Sequence, residues 1–386
     1  MSVAVTTALP RLTPPGTPRV LHVRAVKGNG GGPEKTLLRG AGHLGQLGVH
    51  AEALVLLDAH TPSDGLIERA SRSELPVHVV RERSALDPAG PGALARLIRS
   101  GRFDIIHTHD YKANTLARML AVAGRYRIVA TAHGYNRTTQ REGAYYALER
   151  MILRRADAVI CPSRRLAELL TDSGVAPEKL HVIHNGIELD RWPFRPRAVP
   201  GDPPVVLYVG RLSREKNVQA LLQAAAMLRR DGVAVRLRIA GQGPDRPVLT
   251  ELAGQLDLAG CVEWLGWRDD VGELLARADL LVNPSTTEAM PNTVLEALAA
   301  GTPVVATDAG ATDELIAHER TGLLIPPGDV GALAAALGRL LADVDLTRRL
   351  AWRGRSHAEA HFDFTHRMAH VVALYRGVLA AAGRAR

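Results

Sequence analysis

RVLHVRAVKGNGGGPEKTLLRGAGHLGQL, running from Arg19 to Leu47, decides the fold. Its first eight residues alternate and are rich in β-branched side chains. Gly28, Gly30, Gly31 and Gly32 with Pro33 then stop the strand, and from Glu34 the leucines return at helical spacing. The stretch therefore reads as strand, glycine loop and helix. The order recurs downstream, with apolar strands at 51–57, 77–80, 104–107, 128–132 and 158–161 alternating with helical segments at 92–99, 113–123, 144–155 and 165–171. Alternation at this length predicts a parallel sheet covered by helices on both faces.

A change of composition follows. WPFRPRAVPGDPP, residues 192–204, can neither continue a helix nor enter a sheet interior, and it reads as a linker. Beyond it a second series begins, with strands at 205–209, 235–240, 262–265, 280–283, 303–307 and 322–325. The predicted class is α/β, with two doubly wound, Rossmann-like domains. Their expected bounds are a tail 1–18, a first domain 19–191, the linker 192–204 and a second domain 205–360. The last segment, 361–386, has helical spacing and is expected to cross back to the first domain.

Composition narrows the function. At 386 residues and 46% hydrophobic content, the chain suits two globular cores. No run of about twenty uncharged apolar residues is present, and residues 1–18 lack a basic and then apolar leader pattern, so a cytoplasmic protein is expected. Cys161 and Cys261 each lie in an apolar run, which predicts buried free thiols and no thiolate metal site. The formal charge of +8 is uneven: residues 1–195 carry 27 Lys and Arg against 18 Asp and Glu, leaving 21 against 22 in the remainder. A basic first half suits nucleic acid, an anionic membrane surface or a phosphorylated substrate. With only 4% aromatic residues, dispersed among the basic ones, a single-strand nucleic-acid groove is disfavoured.

In open parallel sheets ligands gather beyond the carboxyl ends of the strands. After the first strand, Gly30 to Gly32 permit close backbone approach, although a plain tight turn reads equally well. A dinucleotide fingerprint is weakened there because Pro33 takes the third glycine position. His107 and His109 follow the fourth strand and read as satisfied structural histidines, since no cysteine or carboxylate set completes a metal site. His133, before Gly134, ends the fifth strand where a ligand-facing donor would stand. In the second half, Arg211 and Lys216 follow a strand and suit a diphosphate, the first by its planar fork and the second as a compact charge.

Residues 283–298, NPSTTEAMPNTVLEAL, set Glu288 and Glu296 eight positions apart across a strand end and a helix start. Pro291 suits the first helical position, leaving the backbone from Ala289 to Thr293 free to meet an anion. Thr293 and Glu296 also fit a capping box, in which Glu296 would serve the helix alone.

The glycine loop, Thr131-Ala132-His133-Gly134, His184-Asn185-Gly186-Ile187-Glu188, Gly210-Arg211-Leu212 with Lys216, and Glu288 followed after seven residues by Glu296 occur in one order over nearly the whole chain. This ordered set resembles a family-4 retaining glycosyltransferase of the GT-B fold. The resemblance implies two Rossmann-like domains facing a central cleft, the first binding the acceptor and the second a nucleotide sugar. It implies that Arg211, Lys216, Gly31 and Gly32 hold the donor diphosphate. Glu296 would accept from the ribose hydroxyls, and Glu288, Ala289, Met290 and Asn292 would engage the sugar and β-phosphate. His133 and Glu288 would stand at the reacting carbon.

The implied activity is transfer, with retention, of a hexose-type sugar from a nucleoside diphosphate, UDP first, to a glycan, lipid-linked or small-molecule hydroxyl. No cofactor is implied. The only Asp-x-Asp, at Asp343 and Asp345, lies far along the chain from these motifs, so no divalent metal is expected. The glycine loop and His107 to Lys112 resemble bacterial cell-surface polysaccharide transferases. That subgroup would place the basic first domain at the inner face of an anionic membrane, with 92–102 as a surface helix. A nucleotide-sugar 2-epimerase of the same fold, a nicotinamide oxidoreductase and a nucleic-acid-binding protein are the alternatives.

Overall fold

The structure, a computed structural model, describes residues 16–26, 32–84, 86–121, 126–133, 140–196 and 201–384. It separates into two compact units, one of residues 1–183 with 365–386 and the other of residues 184–364.

In the first unit, β1 (Arg19–Val26), β2 (His50–Asp58), β3 (Val77–Glu82), β4 (Ile105–Thr108), β5 (Arg127–Thr131), β6 (Ala158–Cys161) and β7 (Leu180–Val182) form one sheet. Their order is β3-β2-β1-β4-β5-β6-β7, with every pairing parallel. Helices α1 (Gly32–Gln46), α2 (Asp64–Ser71), α3 (Ala89–Arg99), α4 (Tyr111–Leu120), α5 (Gln140–Leu153) and α6 (Arg164–Asp172) connect successive strands. The core is built from strand residues such as Leu21, Val23, Leu54, Ile106 and Val159, packed against Leu94 and Ile98 of α3. The apolar face of α3 is thus used inside the unit, and what this helix turns outward includes Arg96 and Arg99. It offers no apolar stripe to a membrane. Strand β7 escapes sequence reading because its three residues are only partly covered, as befits a sheet edge.

The second unit repeats the plan. Strands β8 (Val205–Val209), β9 (Arg236–Ala240), β10 (Val262–Gly266), β11 (Leu280–Asn283), β12 (Val304–Thr307) and β13 (Leu323–Ile325) run parallel in the order β10-β9-β8-β11-β12-β13. Helices α7 (Val218–Arg230), α8 (Arg246–Gln255), α9 (Val271–Arg277), α10 (Asn292–Ala300), α11 (Val330–Ala342) and α12 (Val344–His361) belong with them. Both sheets reverse their winding once, between β1 and β4 and between β8 and β11. Connections leave these neighbouring strands in opposite directions, opening a crevice at their carboxyl ends.

Two expected boundaries move. Residues 184–191 belong to the second unit, and 192–196 form no free linker. Trp192 is buried in the core with Leu207 and Val294, and Arg195 N donates to Ala300 O. Arg355 of α12 holds this strap through bonds to the carbonyls of Trp192 and Ala299. Proline content excluded regular structure, but the buried indole decided the packing. At the other end, α12 stays with the second unit, whereas α13 (Phe364–Arg384) is counted with the first from Thr365 onward. The division between the units therefore falls at the break between these helices, and not at residue 361. Asp343 caps α12 by accepting from Leu346 N, which gives the Asp-x-Asp a structural role.

Candidate active site

In the second unit the site is built where β8 and β11 end side by side. Tyr208 is buried and its hydroxyl donates to Arg211 O, curling the chain after β8. A side chain at Gly210 would meet that hydroxyl at 2.6 Å, and one at Gly241, where φ is +148°, would overlap Gly210 O. The loops after β8 and β9 therefore pack backbone on backbone, with Leu212 N donating to Gln242 O. This close packing carries Arg214 to Lys216, one short helical turn, toward the loop after β11. Thr286 N donates to Glu215 O and fastens the two together.

There Lys216 Nζ donates to Glu288 Oε1 at 2.6 Å, and Ser285 Oγ reaches the same oxygen at 2.7 Å. Asn283 Nδ2 lies 3.4 Å from it. Arg211 makes a parallel arrangement, its Nη2 2.5 Å from Glu215 Oε1, which also accepts from Ser213 Oγ. Each cation thus has its own carboxylate. Glu215 is buried, yet bonds from Ser213 and Arg211 outweigh its desolvation and hold its carboxyl below the usual range. Sequence reasoning identified Arg211, Lys216 and Glu288 but missed Glu215, Ser285 and Asn283. Polar residues in strand-end loops are common, and only the sheet order brings these together.

Pro291 sits one position before α10, as its cap, and not at the first helical position as expected. Having no side-chain acceptor, it leaves the first N–H groups of the helix uncapped. The capping box is not formed, because Thr293 is the second helical residue and not the cap, and Glu296 lies in the second turn. Within α10 only Asn292, Thr293 and Glu296 are partly exposed, and the remaining six residues are buried. Full burial of Val294, Leu295 and Leu298 is worth about 1.5–3 kcal/mol each, so the helix is fixed by its core face. Its three polar residues share the open face. Asn292 Oδ1 accepts from Asn185 Nδ2 at 3.0 Å, tying in His184-Asn185-Gly186. Met290 contributes only backbone here, since its side chain is buried and its sulfur accepts from Asn185 N. Ala289 is half-buried beside it.

In the first unit the middle of β1 and the carboxyl ends of β4 and β5 bring together four imidazoles. His107 stacks on His109 with centroids 4.2 Å apart, His22 lies 4.9 Å from His107, and His109 faces His133 at 6.0 Å. His22 Nδ1 and His109 Nε2 are 2.9 Å apart and share a hydrogen bond. His107 is buried and fully satisfied, by Tyr375 Oη at 2.6 Å and Thr131 Oγ1 at 2.7 Å. Burial, with Arg367 beside it, pushes His22 down to about 3. Burial and mutual repulsion put His107 and His109 well below the ordinary range. His133 is also depressed, by the surrounding protein and then by Arg24 and Arg367, although its side chain reaches solvent. The group is therefore neutral near pH 7.

Ligand atoms of His22, His107 and His109 lie within 4.8 Å of one another, a spacing open to a metal ion. Their chemistry is a poor match for one. Both nitrogens of His107 are engaged and Arg24 and Arg367 add positive charge nearby. Arg24 itself is paired with Glu34 of α1 at 2.7 Å. Gly31 lies outside the described residues, and Gly32 opens α1.

Comparison with known proteins places the chain in a family. Residues 30–191 match the family described as Glycosyltransferase Family 4, and residues 203–343 match Glycosyl transferases group 1. A D-inositol 3-phosphate glycosyltransferase from Nocardia farcinica is 30% identical over 386 aligned residues, covering 88% of this chain and 83% of that protein. The chain belongs to the family-4, group 1 glycosyltransferases. A glycogen synthase from Mycobacterium tuberculosis is 33% identical to this glycosyltransferase over 276 residues, covering 69% of this chain and 67% of the relative. Among solved structures, a sucrose-phosphate synthase from Thermosynechococcus elongatus has a TM-score of 0.80 at 24% identity, covering 94% of this chain and all of that one. Anabaena HepE, in complex with UDP and glucose, has a TM-score of 0.79 at 23% identity, covering 93% and 99% of the two chains. The fold of this glycosyltransferase is GT-B. Among its described residues, no helix is long and apolar enough to cross a membrane.

Proposed function

We propose that this glycosyltransferase transfers a hexose-type sugar, with retention, from a nucleoside-diphosphate sugar, UDP-linked in the first instance, to the hydroxyl of a glycan, lipid-linked or small-molecule acceptor. The observation that carries the reading is the meeting of Lys216 and Glu288 where β8 and β11 end, one turn from Arg211 and the uncapped start of α10. A diphosphate leaving group needs compensation for the charge it develops, and preorganised Arg, Lys and helix N–H groups supply it. On this reading Arg211 and Lys216 exchange part of their carboxylate pairing for phosphate oxygens. Glu296 accepts from the ribose, and Glu288, released in part from Lys216, orients the sugar hydroxyls with the backbone of Ala289, Met290 and Asn292. Neutral His133 of the first unit donates a hydrogen bond at the sugar.

In the reaction the bond from the anomeric carbon to the diphosphate oxygen breaks while the acceptor oxygen bonds to that carbon from the same face. The acceptor proton passes to a phosphate oxygen of the departing nucleotide. We assign no step to a divalent metal. Acceptor binding is assigned to the first unit, whose basic composition suits an anionic, lipid-linked acceptor or the membrane that holds it.

Release of nucleotide from a panel of UDP-, GDP- and ADP-sugars, with and without EDTA, tests the reading. Turnover of one UDP-hexose, undiminished by EDTA, with NMR showing the donor's anomeric configuration in the product, is the expected result. Inversion, or turnover restored only by a divalent ion, would overturn the corresponding part.

A further inference from the structure

Helix α13 carries a side chain into the imidazole group of the first unit that the proposed chemistry has not used. Tyr375 is fully buried, and its hydroxyl meets His107 Nδ1 at 2.6 Å across 268 positions of sequence. Burial pushes its pKa far above the ordinary phenol range, so the O–H is retained and, being buried, needs an acceptor. Among the described residues, His107 is its hydrogen-bond partner. Donation to Nδ1 leaves the proton of neutral His107 on Nε2, which then donates to Thr131 Oγ1 at 2.7 Å. Tyr375 thereby selects the tautomer, and the bonds on the two sides together hold one ring orientation.

Two physical links run from that ring to His133. The first is stacking: His109 lies on His107 at 4.2 Å and 30°, and His133 faces His109 at 6.0 Å and 29°. The second is the chain itself, since Thr131 ends β5 two positions before His133. Tyr375 itself sits edge-on to His107, with ring centres 5.7 Å apart, so both faces of the contact are fixed.

We propose that Tyr375 is a positioning residue for His133, acting through the tautomer and orientation it imposes on His107. The assignment rests on the reading in which His133 meets the transferred sugar. It gives the C-terminal helix a part in the reaction beyond packing. A group displaced by about 1 Å in such a site can cost up to a hundredfold in rate. Loss of the phenol hydroxyl is accordingly expected to lower kcat by about tenfold to a hundredfold. Donor KM is expected to stay unchanged, because Arg211, Lys216, Glu288 and Glu296 lie in the other unit.

The test compares Tyr375→Phe, Thr131→Val and His133→Ala in the full-length enzyme, using the UDP-sugar that the donor panel selects. It combines kcat and KM measurements with 15N NMR of the imidazoles, which reports each tautomer. The expected result is a reduced kcat at unchanged donor KM in Tyr375→Phe, with His107 leaving the Nε2–H form, and a reduced kcat in His133→Ala. Wild-type kcat in a folded Tyr375→Phe, beside an impaired His133→Ala, would overturn the positioning role and leave the His133 reading standing. A lowered kcat in Tyr375→Phe with the His107 tautomer unchanged would overturn it too. Full activity of His133→Ala would remove His133 from the reaction and the proposal with it. Should Tyr375→Phe fail to fold, Thr131→Val loosens the other side of the same ring, and wild-type kcat in that variant would overturn the proposal.

Discussion

Lys216 Nζ and Glu288 Oε1 are 2.6 Å apart although 72 positions separate them in the chain. The two are neighbours because β8 and β11 are adjacent strands and both residues follow strand ends. Both side chains are largely covered, at 21% and 9% exposure, so the pair is not screened as a surface ion pair would be.

If Lys216 meets the donor diphosphate, Lys216→Met should weaken UDP-sugar binding. A hydrogen bond to a charged group contributes about 1.5–3 kcal/mol, which corresponds to a dissociation constant higher by about tenfold to a hundredfold. Calorimetric titration measures this directly, and an unchanged constant in the folded variant would leave Lys216 only as a partner of Glu288.

Glu296→Ala separates ligand binding from helix capping. Because Glu296 lies in the second turn of α10 on its open face, the melting temperature should move little. Affinity for UDP and for uridine should fall together, by about tenfold. A large loss of stability with unaltered nucleotide binding would return Glu296 to a purely structural role.

Gly310 has φ of +65°, and a side chain there would overlap the carbonyl oxygen of Glu288. Gly310→Ala should therefore destabilise the second unit by more than about 1 kcal/mol and disturb donor binding as the Glu288 loop shifts. Gly254→Ala in α8 is the contrasting case. It points into open space at ordinary φ and should add about 0.5–1 kcal/mol. Thermal melts of both variants, with and without UDP, check the pair.

Burial, reinforced by Asp110, pushes Glu149 up to about 7 from 4.5, against an opposing hydrogen bond from Asn114. Between those values the folded protein holds a proton that the unfolded chain has released. Stability tied to this group is thus present below about pH 4.5 and is lost as pH rises through 7, a difference of about 3 kcal/mol. Glu149→Gln keeps an acceptor for Asn114 and cannot ionise. It should raise the melting temperature at pH 8 and leave it nearly unchanged at pH 5, so equal effects at both pH values would contradict the assignment.

The strand-end motifs were legible because their reasons are local. Arg211, Lys216 and Glu288 could be found in sequence since each follows an apolar run that must end at the edge of a parallel sheet, and Glu296 since it lies in the helix that opens just beyond one. Glu215, Ser285 and Asn283 were not distinguishable, because a polar loop residue looks the same whether it faces solvent or a cation from a distant loop. His107 and His109 were legible as structural side chains, but not as part of a four-ring group, since His22 and His133 reach it from other strands.

The order of strands and helices followed from periodicity and punctuation, both properties of a few neighbouring residues, so the sequence by itself determined two parallel α/β units and the segments after which ligands gather. Tertiary structure decided what depends on contacts distant in sequence. It buried Trp192 where prolines suggested a linker, set Pro291 one position outside α10, paired Lys216 with Glu288, and returned Tyr375 to His107. Each of these turns on which surfaces meet across a sheet edge or a helix face, and local propensity carries no record of that.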